Sequence, residues 1–221
     1  MTINKGQLVK YKKIILNQVL IDAKNVNLTD KTLILSAKKC KISKGYLGRL
    51  FPEGLNDLKN FFYEETNKSM IKSINKCDYS KMRIRDKIYN GVILRLEILN
   101  KNKEVVKKII ATEADKPINT LKQLWKTSDI IWISAGDTST DYNYYSKRLL
   151  LSWVYLSTVL CWLNDKEKNL NKTKLFLDRR IEEVLKFGKN SGKVISMINN
   201  SKISSKIINL IKEFKTQNKR S

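Results

Sequence analysis

The chain has 221 residues, enough for one medium domain or for a small module fused to a larger one. Its 42% apolar content supplies a packed core, while 8 Gly, 2 Pro and few alternating Val/Thr-rich runs point to an all-α protein. The absence of His removes Ser-His-Asp and Cys-His catalysis and His-ligated zinc, and the formal charge of +23 invites a polyanion partner.

Two qualifications follow from composition. The positive charge is mostly Lys in a chain rich in Asn and Ile, so part of it is discounted as compositional drift. Cys40, Cys77 and Cys161 lie far apart without metal-ligand spacing, and read as small core residues in a reducing compartment. Neither a metal nor a cofactor is expected. Met1-Thr2-Ile3-Asn4 opens no signal peptide, and no Arg/Ser-rich transit segment is read.

A first helix is expected from about Leu8 to Ala23, with Tyr11, Ile15, Val19 and Ala23 on its apolar side at the 3.6-residue period. Thr29 or Asp30 caps a short second helix with Leu33, Ile34, Ala37 and Cys40 inward. Ser43 caps a third, Lys44 to Phe51, which Pro52-Glu53-Gly54 ends. A fourth runs from about Leu55 to Asn67 on Leu58, Phe61 and Phe62, and Met70, Ile71 and Ile74 extend it if the polar connection that follows is helical.

The short second and third helices have the form of a helix-turn-helix, and Ile42 to Pro52 resembles the recognition helix of TetR-type repressors. Where those repressors tend to carry a Tyr and a His on DNA phosphates, this chain has Gly48 and Leu50. A mid-helix Gly costs about 1 kcal/mol relative to Ala, and Leu cannot donate to a phosphate. The resemblance therefore implies the fold more strongly than DNA reading.

Met82 to Leu99 is an amphipathic helix with Ile84, Ile88, Val92, Leu96 and Leu99 in one stripe. A shorter helix covers Glu104 to Ala111, and Pro117 opens the next, which buries Leu121, Leu124, Trp125 and Ile131. That helix runs into a corner, Trp132 to Arg148. Gly136 suits the left-handed end of a helix, and Asp137, Thr138, Ser139 and Thr140 are residue types that cap the one after it. Trp132, Tyr142, Tyr144 and Tyr145 crowd this turn beside Asp141, Lys147 and Arg148. Such a mixture suits a partner interface or a lipid headgroup, or else a capped turn with its rings folded onto the core.

Leu149 to Leu163 carries no charge and is too short for a membrane span, which needs about 20 residues. A helix apolar all round is buried all round, in a core or as a cavity wall with Trp153, Leu156 and Leu160 as candidate lining residues. Thr173 to Phe187 is a further helix with Leu177, Ile181, Val184 and Leu185 inward and Gly188 as its stop. In the tail, Ser191 to Ser221, an apolar side built of Ile and Val faces a Lys side almost without acids. It reads either as a basic amphipathic helix on an anionic bilayer or as a last helix docked on the body.

Five blocks occur in order: Leu50-Phe51-Pro52, Met82-Arg83-Ile84-Arg85-Asp86, Ala135-Gly136-Asp137-Thr138-Ser139-Thr140-Asp141, Tyr145-Ser146-Lys147-Arg148 and Phe176-Leu177-Asp178-Arg179-Arg180-Ile181. Together they resemble the accessory proteins of ubiquinone biosynthesis, the ninth of the numbered coenzyme Q proteins, over about residues 30–190. The resemblance implies a TetR-repressor-like all-α fold: a helix-turn-helix-like module over 1–54, a helical lipid-binding and dimerisation domain over 55–190, and a basic amphipathic helix over 191–221. It implies a non-catalytic homodimer that presents an isoprenoid quinone intermediate, or a phospholipid, to the demethoxyubiquinone hydroxylase at a membrane, without specific DNA binding. The location implied is the bacterial cytoplasm, peripheral on the inner membrane, or the mitochondrial matrix face in a eukaryote. Matched by position, Arg148 meets a lipid headgroup, and Ile131, Trp132, Asp141, Tyr144 and Tyr145 form the hydroxylase-docking patch, with Tyr144 where the family usually has Trp. The alternative function is a TetR-type transcription regulator.

Overall fold

Thr29 and Ser43 start two short helices by the same device. Each holds extended backbone, and each hydroxyl accepts the N–H three residues on, from Thr32 and Tyr46, both at 3.3 Å. The computed structural model describes residues 5–113, 117–140 and 142–189, and among them every regular element is an α-helix. In order these are α1 (Lys5–Asp22), α2 (Asp30–Lys39), α3 (Lys44–Leu50), α4 (Leu55–Ile74), α5 (Ile84–Asn100), α6 (Lys103–Ala111), α7 (Pro117–Ser134), α8 (Tyr142–Asn164) and α9 (Asn171–Lys189). The all-α expectation holds. The expected basic tail, 191–221, lies outside the described residues.

Helices α1 to α3 close over Ile15, Val19, Leu33, Ala37, Leu47 and Leu50. Ile34 departs from expectation: it is exposed, and Ser36 takes an inward place because its hydroxyl donates to Asp22 on α1 at 2.7 Å. Phe51 meets Phe61 edge to face at 6.4 Å and joins this module to α4. That helix does continue through the polar stretch, held by buried Met70 and Ile74. Three further residues expected inside, Tyr11 on α1, Ile84 in the first turn of α5 and Leu185 near the end of α9, are exposed. Gly188 does not stop α9, which runs to Lys189.

Helices α5 and α7 approach closely because position 91 has no side chain. A Cβ there would fall 2.9 Å from Cγ2 of Ile131. Helix α8 lies between α7 and α9, tied to α7 by the buried hydroxyl pair Ser128–Ser152 at 3.0 Å. It is not buried all round. Trp153 is 59% and Leu160 52% exposed, one apolar strip facing outward from an otherwise covered helix. Among the described residues no helix is long and apolar enough to cross a membrane.

Candidate functional site

The α7–α8 corner is built by backbone first. Gly136 takes φ +92°, and the N–H groups of Gly136 and Asp137 donate back to the carbonyls of Ile133 and Trp132, both at 3.0 Å. This is the paired closure of a helix end by a left-handed residue. It delivers Asp137 inward. Instead of capping α8, as its residue type suggested, Asp137 receives Lys147 at 2.7 Å, Arg148 at 2.8 Å and the Ser139 hydroxyl at 2.8 Å. Burial pushes its carboxyl up, but these three donors outweigh burial and hold it well below the usual carboxylate range.

Arg148, expected at a lipid headgroup, lies inside. It is 1% exposed, donates to Asp129 at 2.5 Å and to the Tyr144 carbonyl at 3.1 Å, and its guanidinium sits 3.6 Å from the Tyr144 ring centre. Two carboxylates and an aromatic face already answer its charge. The Tyr144 hydroxyl donates to the same Asp129 at 3.2 Å, and Trp125, Tyr144 and Tyr145 stack in a trio with centroids 5.1 to 6.2 Å apart.

The expected docking patch is therefore only partly at the surface. Ile131 is 1% exposed and packs on Gly91, so the core claims it, because the helix periodicity turns it toward α5. Trp132 is half-buried, its indole N–H donating to the Lys147 carbonyl at 3.0 Å with the Lys147 ammonium over its ring. Tyr144 and Tyr145 are half-buried, and Asp141 lies outside the described residues. Ile133, outside the expected docking patch, is an exposed apolar side chain of this corner.

The second feature is a cavity of about 500 Å³ between α4, α5, α6, α7 and α8. Its volume falls in the usual range for small-molecule sites, roughly 300–1,000 Å³. Trp153, Leu156 and Leu160 all line it, and the exposure of the first and last marks its mouth. Leu99, Val106, Ile110, Leu121 and Leu124 supply much of the apolar wall.

At its inner end stand polar groups that the sequence reading did not single out. Arg95, on α5 and 1% exposed, donates from Nε to the Tyr155 hydroxyl at 2.8 Å and from Nη1 to Asn67 Oδ1. Beside it Glu113 is closed off by Lys59 at 2.5 Å, both buried. Tyr63 completes this end, its phenol pushed well up by burial and by the negative charge of Glu113. The signal was present: Arg95 follows Val92 by three and precedes Leu99 by four, a charge set in the apolar stripe of α5. A larger hollow, about 830 Å³, is a groove on the three-helix module between Ile21, Leu35, Lys38 and Lys39. Its carboxylate, Asp22, is already taken by Lys39, Ser36 and Gln18.

Two of the sequence blocks meet at the other end of α5. Arg85 pairs with Asp178 at 2.5 Å and with Glu182 at 2.9 Å, pinning α5 to α9. Among the described residues no group of His, Cys, Asp and Glu is placed to hold a metal ion.

Comparison with known proteins converges on the same region. Residues 118–188, which span α7 to α9, match the family model described as COQ9. The chain is 35% identical over 77 residues to "Ubiquinone biosynthesis protein COQ9, mitochondrial" of Rattus norvegicus, covering 35% of this chain and 25% of that protein. It is 27% identical over 164 residues to the Drosophila melanogaster protein of the same name, covering 71% of this chain and 50% of the other. With "Probable ubiquinone biosynthesis protein coq9, mitochondrial" of Dictyostelium discoideum it shares 23% over 155 residues, 66% of this chain and 49% of that one. The matches thus span a quarter to a half of these relatives. A solved TetR transcriptional regulator from Nitrosomonas europaea superposes with a TM-score of 0.63 at 17% identity, over 78% of this chain and 96% of that one. This likeness concerns the fold, and it upholds the TetR-like reading.

Proposed function

We propose that the chain, whose residues 118–188 match the COQ9 family model and whose relatives are named as ubiquinone biosynthesis proteins, serves that pathway as a non-catalytic lipid carrier. It holds an isoprenoid quinone intermediate, or a phospholipid, in the cavity against α8. It presents that molecule to the demethoxyubiquinone hydroxylase at an anionic membrane surface. The single observation that carries the reading is the 500 Å³ cavity, apolar along most of its wall and open at Trp153 and Leu160. Each CH₂ moved from water into such a space contributes about 0.8 kcal/mol, so a polyprenyl chain needs little more than this.

The hydroxylase docks on the half-buried rings of the corner, Trp132, Tyr144 and Tyr145, joined by exposed Ile133. A second copy covers part of the apolar surface that α9 leaves outside, where Leu175 and Leu185 are exposed. The basic tail supplies the attraction to anionic lipid, at about 1 kcal/mol per Lys near the surface. Against a DNA-binding regulator, Leu50 is buried and the outer side of α3 presents Gly45, Gly48, Lys44 and Arg49, too little to read a base sequence.

Mass spectrometry of organic extracts from the purified full chain tests the proposal. An isoprenoid or phospholipid near one equivalent per chain is the expected result. Extracts without any amphiphile, together with protection of a defined operator at physiological salt, would replace the carrier with the regulator.

A further inference from the structure

Arg95 is the point at which the cavity stops being a plain apolar hole. Its guanidinium is buried at the inner end, and among the described residues no carboxylate lies within ion-pairing distance of it. The neighbours that hold it, Tyr155 and Asn67, are neutral. Its Nη2 has no hydrogen bond among the described residues, and neither does the buried Nδ2 of Asn67. Among the described residues Arg95 and Glu113 are the charged ones in the wall, and Lys59 neutralises Glu113 at 2.5 Å. Counted over the described residues, the inner end therefore carries one net positive charge in an apolar space, where an unanswered charge is costly.

We infer that the cavity takes an amphiphile head first: an anionic head, carboxylate or phenolate, on Arg95, and the hydrocarbon chain running out between Trp153 and Leu160. This deepens the carrier reading and rests on it. A guanidinium presents its donors in a planar fork that fits two oxygens of one anion. The Tyr155 hydroxyl, which accepts from Arg95, has its own proton to give to the same head. The lining offers a place to each part of such a molecule, with Arg95 and Tyr155 buried beside Tyr63 and the apolar side chains of Trp153 and Leu160 exposed. Arg148, with its two carboxylates, offers no comparable vacancy of charge.

The test compares three probes of equal chain length on the delipidated full chain by calorimetry at about pH 8, where a free carboxyl is ionised: hexadecanoate, 1-hexadecanol and hexadecyltrimethylammonium. Hexadecanoate should bind about ten-fold tighter than the alcohol, the worth of one hydrogen bond to a charged group, and the cation weakest. Arg95→Met should bring hexadecanoate down to the level of the alcohol and leave the alcohol unchanged, while Arg95→Lys should keep a preference for the anion. If all three probes bind wild type equally, the head-inward inference falls and the carrier reading stands. If none binds, the carrier reading falls with it. Should Arg95→Met fail to fold, wild type decides the matter through hexadecanoate labelled with ¹³C at the carboxyl. A head on Arg95 stays ionised as bulk pH crosses its ordinary titration range, whereas a head at the mouth titrates normally and overturns the inference.

Discussion

Arg148 and Arg95 are equally deep, each 1% exposed, yet their surroundings differ in kind. At the α7–α8 corner the chain answers the charge of Arg148 itself, with Asp129, Asp137 and the face of Tyr144. At the end of the cavity it surrounds Arg95 with a phenol and an amide, and leaves the charge without a counter-ion among the described residues. A buried charge with its counter-ions is a strut; one without them is what the inferred anionic head would answer. Position in a family pattern pointed to the first arginine, whereas the balance of charge points to the second.

The largest effect expected from breaking this contrast is at the corner. Arg148→Ala leaves Asp137 buried with the Lys147 ammonium and the Ser139 hydroxyl as its remaining partners, and removal of one member of such a pair costs about 3–5 kcal/mol. Urea denaturation measures it. A variant that unfolds like wild type but carries less lipid would return Arg148 to the headgroup role. The same corner has a signature in acid. Because Asp137 is held below its usual value, its contribution is complete above the unfolded carboxylate value, about pH 4. It is lost as pH falls from there toward the lower folded value. The stability gap between wild type and Asp137→Asn should thus be widest at neutral pH and narrow below about pH 4.

A smaller effect separates core from patch at Ile131. Gly91→Ala gains helix propensity of about 1 kcal/mol, but it drives a methyl to 2.9 Å from Ile131, and overpacking of this sort costs about 1–3 kcal/mol. A net loss is expected, relieved when Ile131→Ala is added, so that the two changes couple in a double-mutant cycle. An Ile131 that faced a partner would let Gly91→Ala stabilise the chain. The smallest effect belongs to Arg95→Met in the ligand-free chain. Two hydrogen bonds from a charged group, about 1.5–3 kcal/mol each, are lost, but so is the desolvation cost of an uncompensated charge, several kcal/mol, and the melting curve should move little. A loss as large as that of Arg148→Ala would make Arg95 a second strut.

The helices were legible because their signals are local. Caps at Thr29 and Ser43, the stripe Ile88-Val92-Leu96-Leu99 and the left-handed Gly136 each depend on residues within a few turns. What failed depends on distance along the chain. Asp129 and Asp137 reach Arg148 from 19 and 11 residues away, across the very turn that sequence chemistry explains as a cap. Position in the pattern carried Ile131 into a docking patch because neighbours in sequence were treated as neighbours in space. A helix without charge also reads the same whether its last face is covered or forms a cavity mouth, so Trp153 and Leu160 were placed on the cavity wall without sign of their exposure. Arg95 was legible and was missed, being one charge among many in a basic chain.

The ammonium of Lys108 on α6 donates to three carbonyls just past the end of α1, those of Ala23 at 2.7 Å, Val26 at 2.9 Å and Lys24 at 3.2 Å. Helix α6 also carries Val106 and Ile110 of the cavity wall. Any outward step of α6 that widens the cavity must stretch this tripod, so the stiffness of the wall is set partly in the three-helix module. The three-helix module then acts as a brace, tied through Lys108 to the helix that carries part of the cavity wall.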